Sequence, residues 1–142
     1  MPTLTRWFLK SAFLYLVGAL LLGVLLAANP LFPLPDFIRF MGPVYFHLFM
    51  VGWISQMIFG VVYWMFPIVG RENPRGNELL GWLTYICLNA GLLLRVVGEP
   101  AVALRPGTGV GWVLVISAVL QWLGGLFFVL NSWQRVRERG KL

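Results

Sequence analysis

Four stretches of the chain, near residues 7–28, 42–69, 77–97 and 109–133, each run for more than twenty residues with almost no charge. A helix needs about 20 mostly apolar residues to cross a hydrocarbon core about 30 Å thick, so each stretch is long enough to cross once. Hydrocarbon offers no partner to a backbone N–H or C=O. A crossing segment must therefore satisfy its own hydrogen bonds, which an uninterrupted apolar run does as an α-helix. The pattern predicts an all-α membrane protein, a four-transmembrane-helix bundle. The spans use nearly all of the chain, so residues 1–142 form one domain with no internal linker and no repeat.

Composition agrees with this. The chain is 59% hydrophobic and 11% charged, against about 25% charged residues in soluble domains. Lipid is the solvent in which so much apolar surface needs no cover. Seven tryptophans suit the aromatic belts found where helices meet the headgroups. A single cysteine excludes an internal disulfide, and Cys87 falls mid-helix as an inert buried thiol.

Local signals set the span ends. The first span stops at Asn29 and Pro30, because proline removes a helical donor and biases its predecessor to extended geometry. Pro43 is acceptable in the first turn of the second span. The short polar loop 70–76 makes the second and third spans antiparallel neighbours. Arg6 and Lys10 resemble the start of a secretory signal. The apolar run that follows is long for one, however, and its exit at Ala27, Ala28, Asn29 and Pro30 is a poor cleavage site, so the segment is expected to be retained.

Charge sets orientation. Arg6, Lys10, Arg71, Arg75, Arg135, Arg137, Arg139 and Lys141 all fall on one side of a four-span topology. Arg39, Arg105 and Arg95 fall towards the other. Cytoplasmic loops collect the Lys/Arg excess, so the N- and C-termini are expected in the cytoplasm of a prokaryotic inner membrane. The net charge of +6 is then a topology signal, with the basic tail able to touch anionic lipid, and not a nucleic-acid interface.

Polar side chains inside the spans are costly in hydrocarbon and need a reason. Gln56, Asn89, Ser117 and Gln121 are expected to join helices by hydrogen bonds. Gly52 and Gly60, eight apart on the second span, and Gly91, Gly124 and Gly125 offer close helix approach. His47, the only histidine, differs in kind. It lies about a turn and a half into the second span, at 1.5 Å rise per residue. Arg95 returns to a similar depth on the third span. Imidazole ligates iron and guanidinium pairs with carboxylates. A haem offers both partners: iron for His47, and propionates for Arg95 and for Arg39 in the adjacent loop. The alternative from the same residues is a His47 that bonds a neighbour and an Arg95 that snorkels to the interface.

The run from His47 to Pro67 carries a further pattern: His47, then Gly52 and Trp53, then Gly60, Tyr63 and Pro67. It resembles the second helix of the catalytic subunit of haem-copper oxidases and nitric oxide reductases. It is more similar still to small four-helix membrane proteins grouped with subunit I of those oxidases. The following helix, from Trp82 through Asn89, Ala90 and Gly91 to Gly98, is similar as well, so the resemblance covers about half of the chain. In the large subunits the matching histidine is an axial ligand of the low-spin haem. The resemblance therefore implies haem b on His47, with the iron as its metal, Arg95 and Arg39 on the propionates, and Gly52 letting the macrocycle approach the backbone.

The departures are specific. The large subunits bring further histidines for the second axial position and for copper, and this chain has none. It cannot assemble a copper–haem oxygen-reducing centre, so it is not expected to be an enzyme on its own. Small relatives often carry a second histidine two residues before the first, where this chain has Tyr45. The other axial position could be filled by His47 of a second copy across a two-fold axis, by Met50 or Met57, or by a partner subunit, or could stay open for a gas. The expected function is electron transfer or gas sensing, as a homodimer or part of a larger membrane complex. The alternative is a cofactor-free structural or assembly subunit of a respiratory complex. A transporter ranks lower because no proton-relay carboxylate is embedded, and no motif speaks for quinone.

Overall fold

A computed structural model describes residues 1–136. Four long helices account for most of them: α1 (Thr3–Ala28), α3 (Gly42–Met65), α4 (Glu78–Leu104) and α5 (Gly111–Trp133). A single turn, α2 (Asp36–Arg39), interrupts the first loop. There is no strand among the described residues. All four long helices are long and apolar enough to cross a membrane, so the chain is a multi-pass membrane protein. The basic tail positions Arg137, Arg139 and Lys141 lie outside the described residues.

The spans pack closest as two hairpins, α1 with α3 and α4 with α5. Between helices bathed in lipid the hydrophobic effect contributes little, so small residues that let backbones approach become the means of close contact. Gly52 and Gly60 do this on α3. A methyl group added at Gly52 would lie 2.8 Å from the Tyr15 side chain, and one at Gly60 would lie 2.8 Å from Phe8. On the second hairpin Gly91 lies under Ser117 and Gln121, and Gly124 under Leu88. Gly125, expected to act with Gly124, has open space at its side-chain position.

Polar contacts join the hairpins. Gln56 of α3 and Asn89 of α4 exchange two hydrogen bonds, and the Tyr15 hydroxyl of α1 donates to Asn89 Oδ1 at 2.8 Å. Asn89 Nδ2 also donates to the Tyr85 carbonyl at 2.8 Å, so both ends of its amide are engaged. Ser11 and Tyr85 hydroxyls meet at 2.6 Å. Ser117 of α5 donates to the Gly91 carbonyl at 2.6 Å, and Gln121 donates back to Ser117. Phe59 stacks on Phe128 with centroids 3.8 Å apart. The interhelical hydrogen bonding expected of Gln56, Asn89 and Ser117 is thus seen directly, whereas Gln121 bonds within α5, to Ser117.

Two helix ends differ most from the sequence reading. α3 ends at Met65, four residues early, because Phe66 turns extended (ψ 150°) ahead of Pro67, the geometry proline imposes on its predecessor. α4 continues through Pro100 to Leu104; Pro100 costs one helical hydrogen bond but is fully packed, so no open donor results. The connection from α4 to α5 is a tight turn made possible by Gly107 and Gly109, both at positive φ (82° and 75°), a region that side-chain-bearing residues avoid.

The least expected element lies inside α3. Residues Leu48–Ser55 form a π-helix, between an α-helical turn ending at His47 and the α-helix from Gln56. Such wide turns are rare and recur at functional sites. Here the Ser55 hydroxyl donates to the Met50 carbonyl at 2.9 Å, five residues back, and buried Gly52 accepts the Tyr15 ring at the centre of the segment.

Candidate functional site

His47 stands at the junction of the α-helical and π-helical parts of α3. Its Nδ1 lies 2.8 Å from the Pro43 carbonyl, one turn back. A carbonyl only accepts, so Nδ1 carries the proton and the lone pair of the neutral imidazole is left on Nε2. Anchoring Nδ1–H on a backbone carbonyl is how proteins fix the tautomer and orientation of a ligating histidine. The ring is half-buried, and Phe46 and Met50, its outward neighbours on the helix, are exposed. His47 therefore sits at the margin of the packed face of α3, with the Phe46 ring edge-on to it at 5.9 Å between centroids.

Arg39, Arg95 and His47 lie at the same end of the bundle, where α2 and the first turn of α3 both pack on α4. Each has a separate partner. Arg95 Nη1 meets Glu99 Oε1 at 2.7 Å, with both side chains largely buried, and Arg95 Nε is buried without a partner. Arg39 pairs with Asp36 at 3.2 Å on the exposed turn. Each carboxylate engages one Nη1 of its arginine and so competes for the charge that a haem propionate would seek. The face of Gly52 is occupied as well: Tyr15 and Leu92 fill the space a macrocycle would need there, so the close approach at this glycine is that of α1 and α4. The two-residue-earlier position, Tyr45, stacks on Phe49 and lies against Gly23 of α1.

No protein-family model, no curated protein and no solved structure matches this chain. Chemistry must therefore be judged from the residues. Among the described residues no group of three or more His, Cys, Asp or Glu converges on a metal-sized site. A haem asks less of the protein, since the porphyrin supplies four ligands and the chain one or two. His47 Nε2 fits one axial bond. With the flank of Gly52 filled by Tyr15 and Leu92, a planar macrocycle on this histidine would have to approach from another side.

Residues not singled out from sequence bind the bundle elsewhere. Arg135, placed in the sequence with the basic tail, is 1% exposed. Its Nη2 and Nε donate to the Phe66 and Pro67 carbonyls at 2.7 and 3.1 Å, and its guanidinium lies 5.9 Å from the Tyr63 ring centre. It thereby satisfies carbonyls that the end of α3 leaves open. Burial pulls its pKa below the ordinary arginine value. In a run of arginines no sequence signal separates this one from its neighbours. Tyr15, Ser11 and Tyr85 were equally silent, because aromatic residues in a span are common as belts and packing.

Proposed function

We propose that the chain is a small b-type haem protein of a prokaryotic cytoplasmic membrane, with His47 as an axial ligand and both termini on the cytoplasmic side. The observation that carries the proposal is the fixed tautomer of His47: Nδ1–H is held by the Pro43 carbonyl, which leaves the lone pair on Nε2 of a half-buried ring. A free imidazole lone pair in a membrane span has no role in packing, whereas a haem iron gives it one. A π-helix beginning at the next residue also supports a functional site here. Bound haem would supply a one-electron couple or an open iron for a gas.

Because His47 is only half-buried and Tyr15 and Leu92 fill the flank at Gly52, the haem would lie at the surface of the bundle, between this chain and another. A second copy related by a two-fold axis along the membrane normal brings a second His47 at equal depth; a larger respiratory complex could supply a different ligand. Arg39 and Arg95 would reach propionates through donors other than the Nη1 groups that Asp36 and Glu99 already engage. Those existing ion pairs favour the second reading, a cofactor-free structural or assembly subunit whose outward aromatic face meets a partner. Visible spectra of the full chain purified from haem-supplied cells, beside its His47→Ala variant, separate the two.

A further inference from the structure

At the end of the bundle that holds Pro2 and Arg135, a cavity of about 560 Å³ lies between the loop before α4 and the adjoining turns of α4 and α5. Its walls divide by chemistry. Leu79 and Leu130 form an apolar side and are themselves 64% and 53% exposed. The cavity therefore opens sideways, at the level where the helices enter the hydrocarbon. Asn73, Asn77, Glu78 and Asn131 form a polar side. An amphiphile with a small polar head and an apolar tail matches this division, and in a bilayer such molecules surround the site.

The polar wall decides which head. Asn131 is 7% exposed, and its Oδ1 accepts the Asn77 backbone N–H at 2.8 Å. That bond engages the oxygen end of the amide, and the Nδ2 end of this largely buried side chain is the donor it brings to the cavity wall. Asn77 Oδ1 is likewise committed, to the Leu79 N–H at 2.9 Å. Glu78 is exposed and forms no ion pair among the described residues. No lysine or arginine is among the described residues that line the cavity. A site for an anionic head would carry cations; this one carries amide donors for a phosphate oxygen and a carboxylate for a cation.

We infer that the cavity binds the headgroup of an aminophospholipid of the phosphatidylethanolamine type. Asn131 Nδ2 donates to the phosphate, the Glu78 carboxylate accepts from the primary ammonium, and the acyl chains leave past Leu79 and Leu130. The inference stands independently of haem binding and of which leaflet the site faces.

Native mass spectrometry of the delipidated full chain tests it, with phosphatidylethanolamine, phosphatidylcholine and phosphatidylglycerol of identical acyl chains titrated separately. An exposed carboxylate–ammonium pair is worth up to about 1 kcal/mol, so phosphatidylethanolamine is expected to bind about three- to fivefold more tightly than phosphatidylcholine. Glu78→Gln is expected to erase that preference. Asn131→Asp keeps the acceptor for the Asn77 N–H and removes the donor; it is expected to weaken both zwitterionic lipids. Glu72→Gln, which changes an exposed carboxylate outside this cavity, is expected to leave the preference intact. Equal binding of the two zwitterionic lipids, tighter binding of phosphatidylglycerol, or an equal effect of Glu72→Gln and Glu78→Gln would each overturn the assignment.

Discussion

Gln56 and Asn89 join the two hairpins with a reciprocal amide pair: Gln56 Nε2 donates to Asn89 Oδ1 at 3.2 Å and Asn89 Nδ2 donates to Gln56 Oε1 at 3.3 Å. Gln56 has no exposed surface. Lipid cannot replace a lost partner, so the pair fixes the rotation of α3 against α4 as well as their distance. Hydrogen bonds between membrane helices average about 0.6 kcal/mol and reach about 1.7. Gln56→Leu is expected to destabilise the bundle by about 1–2 kcal/mol in an SDS unfolding titration. Asn89→Leu is expected to cost more, since it also strips the Tyr15 hydroxyl of its acceptor.

The glycines differ in what they do. Gly52→Ala places a methyl 2.8 Å from Tyr15 and 3.0 Å from Leu92, an overpacking that costs about 1–3 kcal/mol in well-filled interiors. Gly18→Ala on α1 meets nothing within 4 Å and gains helix propensity of about 0.5–1 kcal/mol. Thermal melts in mild detergent should therefore move in opposite directions for the two variants.

Arg135 holds the end of α3 through two carbonyls that diverge at Phe66 and Pro67. Lysine keeps the charge but is a single point donor without the guanidinium fork. Arg135→Lys is expected to lose about 1.5–3 kcal/mol, the range of a hydrogen bond to a charged group, and to speed proteolysis of the 66–76 loop. Stability within about 0.5 kcal/mol of the parent would show that the two carbonyls do not depend on the fork.

Much of the architecture could be read from residues alone, and the reasons are physical. Span number follows from apolar length, and the break at Asn29 and Pro30 from proline's missing donor. Gln56 and Asn89 stood out because an amide in hydrocarbon needs a partner. What stayed hidden depends on tertiary packing. The π-helix at Leu48–Ser55 has no composition that marks it, since an apolar run with one glycine reads equally well as α-helix. Arg135 is chemically identical to the topology-setting arginines around it. At the candidate site, His47 was legible as the one histidine at an unusual depth. Its bond to the Pro43 carbonyl was not, and neither was the commitment of Arg95 to Glu99, because rotamers decide both.

Haem ligation by His47, as proposed above, would depend on its tautomer. Pro43 supplies the carbonyl that holds Nδ1–H, a contact that needs the α-helical turn ahead of the π-segment. Ser55→Ala removes the hydroxyl bond to the Met50 carbonyl and loosens the segment after His47. Haem retention through gel filtration is expected to fall in Ser55→Ala without loss of membrane insertion. Unchanged retention would mean that the π-segment does not position the ligand.

The most direct measurement is the visible spectrum, oxidised and dithionite-reduced, of the chain purified in mild detergent from haem-supplied cells, with His47→Ala prepared in parallel. Ligation by His47 predicts a Soret band that shifts on reduction in the parent and is absent from an inserted, folded His47→Ala protein. Resolved α and β bands would mark a six-coordinate haem shared with a second ligand; a broad reduced band altered by carbon monoxide would mark an open gas site. A colourless parent despite ample haem, or a spectrum that survives His47→Ala unchanged, would contradict the assignment.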